Sequence, residues 1–256
     1  MNNSITIEIC ADSVESALAA QRGGAGRIEL CGGLAEGGTT PSSGLISTVR
    51  SKVSIPIYVM VRPRAGDFYY GPDDFETMEQ DVLIAKQLGA DGVVFGVLKE
   101  DGRVDVQKTR HLVALARPMK VTFHRAFDMA LDLSEGLEAV IAAGADRLLT
   151  SGGEQRVEDG LDTVKSLTAA ASGRIAMMAC GGISAQNVCH VIAATGVNEL
   201  HASASSAVSS PMLHRNERVS MGAIKGREYQ RFVVMEDKVR RLVNAVNGTL
   251  HTAKAH

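Results

Sequence analysis

Apolar and polar positions alternate along this chain in two distinct rhythms. Short runs with a period of two begin at Ile5 (ITIEIC), Arg27 (RIELC), Ile55 (IPIYVMVR), Gly92 (GVVFGVL), Lys120 (KVTFHRAF), Arg147 (RLLTSG), Ile175 (IAMMACGG) and Glu199 (ELHASAS). Alternation over four to eight residues is the signature of a strand. Between these runs lie segments with helical periodicity, among them Ser13 to Gln21, Phe75 to Leu88, Leu133 to Ala143 and Ala185 to Ala194. Asp12 with Glu15 fits a capping box at the first, and Ser184 is placed to cap the last. Glycine follows the helical segments at Gly23-Gly24, Gly89, Gly144 and Gly196, each just before a strand. Such glycines end helices by taking the left-handed conformation.

Strand and helix alternate through eight units without a linker, so the pattern predicts an α/β fold, a single (β/α)8 TIM barrel spanning 1–256. A doubly wound sheet is the competing architecture, but the Cys10-Ala11-Asp12-Ser13 turn lacks the glycine-rich first turn such folds often carry. After the eighth strand, residues 206–234 are too long for a βα loop, and a last helix is expected over 235–250. The long segment is expected to fold over the barrel mouth or to form an oligomer interface.

In a barrel strand, one set of alternate residues faces the helices and the other faces the lumen. Placing Ile5, Ile7 and Ile9 outward turns Glu8 and Cys10 inward. The same step turns Glu29 and Cys31 inward on the second strand, Tyr58, Met60, Arg62 and Arg64 on the third, Thr122 and His124 on the fifth, and His201 and Ser203 on the eighth. The lumen therefore collects acids, bases and thiols where a barrel built only for stability would hold branched apolar residues. Buried charges must be paired, solvated or ligand-bound. Two readings follow: a closed salt-bridge network of Glu8, Glu29 and Arg62, or a binding site.

Composition narrows the partners. Hydrophobic residues are 45% of the chain and the formal charge is -2, so a sizeable core is available and no global field favours nucleic acid or an anionic membrane. No apolar run reaches the roughly 18 residues of a membrane span, and Met1-Asn2-Asn3-Ser4 shows no secretory pattern. Four cysteines are too few for a disulfide scaffold and point to reduced thiols in the cytoplasm.

Three kinds of chemistry are open to the lumen. Cys10 and Cys31, repeated in the phrases Glu-Ile-Cys and Glu-Leu-Cys on adjacent strands, suit a soft ion such as Cu(I). Ser151-Gly152 and Gly181-Gly182, after the sixth and seventh strands, expose backbone N–H groups to a small anion such as a phosphorylated metabolite, with Arg62, Arg64 and His201 nearby. Glu29 and His124 are candidate acid–base groups for a reaction on that anion.

Four stretches together resemble the CutC copper-homeostasis family: Glu29-Leu30-Cys31 through Glu36-Gly37-Gly38-Thr39-Thr40-Pro41-Ser42, Arg62-Pro63-Arg64-Ala65-Gly66-Asp67-Phe68, Thr122-Phe123-His124-Arg125-Ala126-Phe127-Asp128, and Leu149-Thr150-Ser151-Gly152. Met212 to Asn216 fits as well. The resemblance implies a TIM barrel, a cytoplasmic location, self-association as a homodimer or homotetramer, and Cu(I) binding at Cys10 and Cys31. The chain departs from the family pattern at Cys180, where a small residue is expected; this adds a thiol to the site or fills space.

Overall fold

The computed structural model describes residues 5–221 and 226–253, so Met1–Ser4, residues 222–225 and Lys254–His256 lie outside the described residues. Eight parallel strands close a barrel in chain order: β1 (Thr6–Ala11), β2 (Arg27–Leu30), β3 (Ile57–Met60), β4 (Gly92–Phe95), β5 (Lys120–Phe123), β6 (Arg147–Thr150), β7 (Ala176–Ala179) and β8 (Glu199–Ala202). The circle closes where β1 pairs with β8 in the register Glu8↔His201. This is the (β/α)8 TIM barrel that the two rhythms predict. Seven helices connect or flank the strands: α1 (Val14–Arg22), α2 (Ser43–Arg50), α3 (Pro72–Gln87), α4 (Val106–Ala116), α5 (Leu133–Ala143), α6 (Leu161–Ala171) and α7 (Val188–Thr195).

The helix ends show where local rules were outcompeted. The cap of α1 is Ser13, whose hydroxyl accepts from the Ser16 N–H at 3.2 Å, so Asp12 and Glu15 form no capping box. Helix α7 starts at Val188, not after Ser184. Asn187 accepts from the Ser184 N–H at 2.9 Å and donates to the Gly182 carbonyl at 3.0 Å, holding 184–187 as a turn. Helix α3 begins at Pro72, three residues before Phe75, because proline's fixed φ suits a first helical turn. At the exit of α1, Gly24 rather than Gly23 takes the positive φ.

The outward sets meet the helices as expected: Ile7, Ile9, Ile28, Leu30, Ile57, Val59, Val121 and Phe123 are all buried in the main core. Beyond the barrel, the segment after β8 forms an antiparallel ribbon of β9 (Ser205–Ser209) and β10 (Gln230–Val234), followed by α8 (Glu236–Ala253). The ribbon does not cover the mouth. It packs against α1, where the Val234 N–H bonds Ser16 Oγ at 3.2 Å and Arg231 pairs with Glu15. Its far end leaves Met212, Leu213, Val219 and Met221 exposed. No helix among the described residues is long and apolar enough to cross a membrane.

Candidate functional site at the barrel mouth

A cavity of about 290 Å³ opens at the carboxyl ends of the strands. Its wall includes Cys10, Glu29, Arg62, His124, Gly181, Gly182 and His201, seven of the residues singled out from the sequence, together with Met60, Phe68, Arg125, Cys180 and Ser203. Strand alternation places them there: Cys10 and Glu29 are cross-strand partners, and so are Glu8 and His201.

Below the cavity floor lies a buried charge network whose members sequence reasoning largely missed. Arg27 donates to Glu8 at 2.5 Å and to Glu199 at 2.6 Å, and Arg147 grips Glu199 through two bonds. Both guanidinium groups also stack on Tyr58. Arg27, Arg147 and Glu199 share strand parity with Glu29, Leu149 and His201, so the same alternation rule would have turned them inward. The expected network of Glu8, Glu29 and Arg62 does not form, because Glu8 pairs with Arg27 and Arg62 points elsewhere.

On the β1–β2–β8 side, His201 Nδ1 lies 2.8 Å from Glu8 Oε1, while its Nε2 lies 3.8 Å from Glu29 Oε2. Burial alone would lift the Glu8 carboxyl, but Arg27 and His201 overcome it and hold Glu8 well below its ordinary value. Burial opposes a charged His201, yet Glu29, Glu8 and the Cys10 thiol outweigh it and keep the ring's proton on well above the ordinary imidazole range. Glu29 is pushed up by burial against the pull of His201. Glu8, Glu29 and His201 bring three ligand atoms within 4.8 Å of one another, the one such group among the described residues. Arg27, bound to Glu8, already supplies the positive charge this group needs.

The two thiols fare differently. Cys10 is half-buried on the cavity wall. Cys31 is fully buried beneath Leu34 and Gly38, packed with Tyr58, Met60 and Val94, and its thiol donates toward Glu29 at 3.5 Å. Burial first, then Glu29, pushes the Cys31 thiol well above its ordinary value. Of the two thiols, Cys10 alone lines the cavity, and Cys31 lies under the loop that carries Leu34 and Gly38. Cys180 packs with Leu149 and Met178 and also lines the cavity, and burial and Asp128 push its thiol up as well.

The arginines also divide. Arg62 is buried and donates to the carbonyls of Glu36 (2.8 Å), Gly38 (2.9 Å) and Gly66 (2.8 Å), binding two loops together beneath Phe68. Arg64 turns outward to Asp74 and Asp67, contrary to its expected inward parity, because the strand ends at Met60 and the alternation ends with it.

On the β5–β6 side, Asp128 accepts from Thr150 Oγ1 (2.5 Å), Ser151 N–H (3.1 Å), Ser151 Oγ (3.0 Å) and Gly153 N–H (3.1 Å), and pairs with Arg125 at 2.7 Å. The Gly152 N–H bonds Thr150 Oγ1. Of the two residues expected to hold an anion, Ser151 already holds the protein's own carboxylate and the Gly152 N–H is taken by Thr150 Oγ1. The next loop differs: the backbone N–H groups of Gly181, Gly182 and Ile183 have no acceptor among the described residues, and all three residues line the cavity. Gly181 is required there, since its φ is +94° and a Cβ would stand 3.0 Å from the Gln155 carbonyl.

His124 Nδ1 accepts from the Ala126 N–H at 3.2 Å, which leaves the proton on Nε2. Burial and the neighbouring Arg62 hold this ring's pKa down to about 3, so His124 is a neutral donor near neutral pH rather than a general acid–base group. Gly96 makes room for it, because a Cβ there would stand 2.6 Å from Nδ1. Three buried side-chain atoms on this cavity wall lack a hydrogen-bond partner: Glu29 Oε1, Arg62 Nε and His124 Nε2.

Fold and site together define a (β/α)8 barrel with a cavity at its C-terminal mouth whose wall carries charged, thiol and apolar side chains. The chain belongs to the CutC family, whose model matches residues 5–206. It is 49% identical over 245 residues to a mouse protein named copper homeostasis protein cutC homolog, covering 95% of this chain and 90% of that one. It is 44% identical to a CutC family protein of Bacteroides fragilis, covering 95% and 98%. A crystal structure of the copper homeostasis protein CutC from Streptococcus agalactiae superposes with a TM-score of 0.73 at 31% identity, over 77% of this chain and 97% of that one.

Proposed function

We propose that the mouth cavity binds a small anionic, phosphorylated or carboxylated metabolite and that the protein is an enzyme acting on it. The observation that carries this reading is that Glu29, Arg62 and His124, each with a buried side-chain atom that has no partner, all line one cavity. Leaving a buried polar group unsatisfied costs about 1–3 kcal/mol, so three on one wall favour a ligand that completes them. The free N–H groups of Gly181, Gly182 and Ile183 supply the anion contacts, and the His124 Nε2–H adds a neutral donor. Glu29 is the proton-transfer group, its carboxyl raised above its ordinary value by burial. Thermal unfolding in inorganic phosphate and in glycerol 3-phosphate tests the reading. The melting temperature should rise with ligand concentration in the wild type and stay flat in His124→Phe. No rise, or an equal rise in the variant, rejects it.

A second reading takes Cu(I) as cargo on Cys10 and Cys31, in line with the copper-homeostasis names of the relatives. The Cys10 thiol on the cavity wall supports it; the burial of Cys31 opposes it. Anaerobic Cu(I) competition titration separates the readings. Affinity lost in both Cys10→Ser and Cys31→Ser favours the pair, and affinity unchanged by Cys31→Ser removes it. We place the protein in the cytoplasm, where its four cysteines stay reduced. Self-association through the exposed Met212, Leu213 and Met221 face is part of the same reading, and sedimentation as a monomer would overturn it.

A further inference from the structure

We infer that Arg125 is the phosphate-recognising residue of the mouth cavity and that the ligand is a phosphate monoester. The inference rests on the metabolite reading of the cavity and narrows its ligand from any small anion to one class. Arg125 follows His124 directly, opens the short helical turn Arg125–Met129 after β5, and lines the cavity. Its Nε donates to Asp128 at 2.7 Å, and its Nη2 donates to Ser151 Oγ and to the Glu154 carbonyl, both at 2.7 Å. Nη1 has no acceptor among the described residues. A guanidinium fixed in this way is preorganised, so it loses little freedom when a ligand takes the remaining nitrogen. Asp128 does not depend on Arg125 alone, because it also accepts from Thr150, Ser151 and Gly153.

The Gly181-Gly182-Ile183 turn stands next to this arginine. A Cβ on Gly181 would lie 3.3 Å from Ser151 Cβ, and Ser151 Oγ bonds Arg125, so one serine joins the guanidinium to the turn. The N–H groups of Gly181, Gly182 and Ile183 have no acceptor, and these residues line the same cavity. Three backbone donors and the two hydrogens of Nη1 outnumber the roughly four lone-pair sites of a carboxylate. A phosphate presents three strongly accepting oxygens and can use them all. Charge on the wall agrees. Arg62 is buried, lines the cavity and bonds three carbonyls but no carboxylate. A buried cation without a counter-charge is costly, and an anion in the cavity offsets it.

Glu29 is the one carboxylate on the cavity wall, and it belongs to β2, across the barrel from β5 and β6. The phosphate is therefore gripped on the far side from Glu29, which faces the organic part of the ligand. Arg156 is the competing cation. A Cβ on Gly182 would lie 3.1 Å from Arg156 Cζ, but Arg156 is not among the lining residues and pairs with Glu158 at 2.7 Å. Both arginines are open to a reagent, with Arg125 41% and Arg156 55% exposed at the side chain.

Calorimetric titration of the full chain with glycerol 3-phosphate and with glycerate, which carries a carboxylate in place of the phosphate ester, tests the ligand class. Glycerol 3-phosphate should bind about tenfold tighter or more. Equal affinities, or tighter glycerate, reject the phosphate class and leave the metabolite reading standing. Protection from phenylglyoxal, read arginine by arginine by peptide mass spectrometry, tests the residue without relying on a variant to fold. At about ten times its Kd, glycerol 3-phosphate should slow modification of Arg125 about tenfold and leave Arg156 unchanged. Protection of Arg156 alone puts the phosphate outside the cavity and overturns the assignment. Arg125→Lys keeps a charge beside Asp128 without the planar fork and should weaken glycerol 3-phosphate about tenfold. Affinity lost in His124→Phe but unchanged in Arg125→Lys, with no protection of Arg125, keeps the metabolite reading and rejects the role of Arg125. Binding of neither compound rejects both.

Discussion

The two rims of the barrel mouth contain similar residue types in opposite states. On the β5–β6 rim, Asp128 satisfies Thr150, Ser151 and Gly153 and is itself balanced by Arg125, so charge and hydrogen bonds close within the protein. On the β1–β2–β8 rim, Glu29 keeps one oxygen without a partner, His201 stands between two carboxylates, and a thiol faces the opening. One rim closes its carboxylate's hydrogen bonds within the protein, while the other leaves a carboxylate oxygen without a partner. Buried polar groups left open are costly, which makes the second rim the place to look for chemistry.

The largest effect that would sharpen this comparison comes from the finished rim. Asp128→Ala strands the buried donors of Thr150 and Ser151, the exposed Gly153 N–H and the Arg125 charge, and should destabilise the fold by about 3–5 kcal/mol in urea unfolding, with Asp128→Asn recovering part. A loss below about 1 kcal/mol would show that the rim is not held this way.

An intermediate effect lies in pH. His124, held down to about 3, stays neutral in the folded chain, while the unfolded chain takes up its proton below about 6.5. The stability it contributes is therefore present above 6.5 and lost as pH falls, at no more than about 1.4 kcal/mol per pH unit. Glu29 has the opposite sign: its raised carboxyl contributes stability at low pH that is lost as pH rises through its folded value. Below about pH 6.5 His124 loses stability, and Glu29 opposes that loss from its raised folded value down to its unfolded value of about 4.3. Glu29→Gln should lose stability over that window on acidification, and His124→Phe should gain it. Parallel curves for the two variants would break the distinction between an open acid and a neutral donor.

The smallest effect is at Cys180. Cys180→Ala removes one buried sulfur packed with Leu149 and Met178 and should cost about 1 kcal/mol in urea unfolding. A loss above about 3 kcal/mol would show that the sulfur does more than fill space there.

Local pattern was enough to place strands, since four-residue runs such as Gly92–Phe95 and Lys120–Phe123 carry both alternation and flanking glycine or loop residues. Parity was enough to turn Glu29, His124 and His201 inward. It failed at Arg64, beyond the strand's end, where no pleat dictates direction. It also could not say which acceptor each inward group would find. The Asp128 clamp joins residues 128 and 150–153 across two strands, and Arg62 reaches back to the carbonyls of Glu36 and Gly38. Pairing of this kind depends on distances between segments far apart in the chain.

The sequence by itself determined the barrel, its eight-unit order and the lumen-facing set, because periods of 2 and 3.6 are properties of the local backbone. Only the tertiary structure decided which lumen groups are satisfied and which remain open. Cys31 and Cys10 repeat the same Glu-x-Cys phrase, yet one lies sealed beneath Leu34 and the other opens on the cavity beside His201. That difference comes from loop closure and burial, which assign unlike environments to like residues.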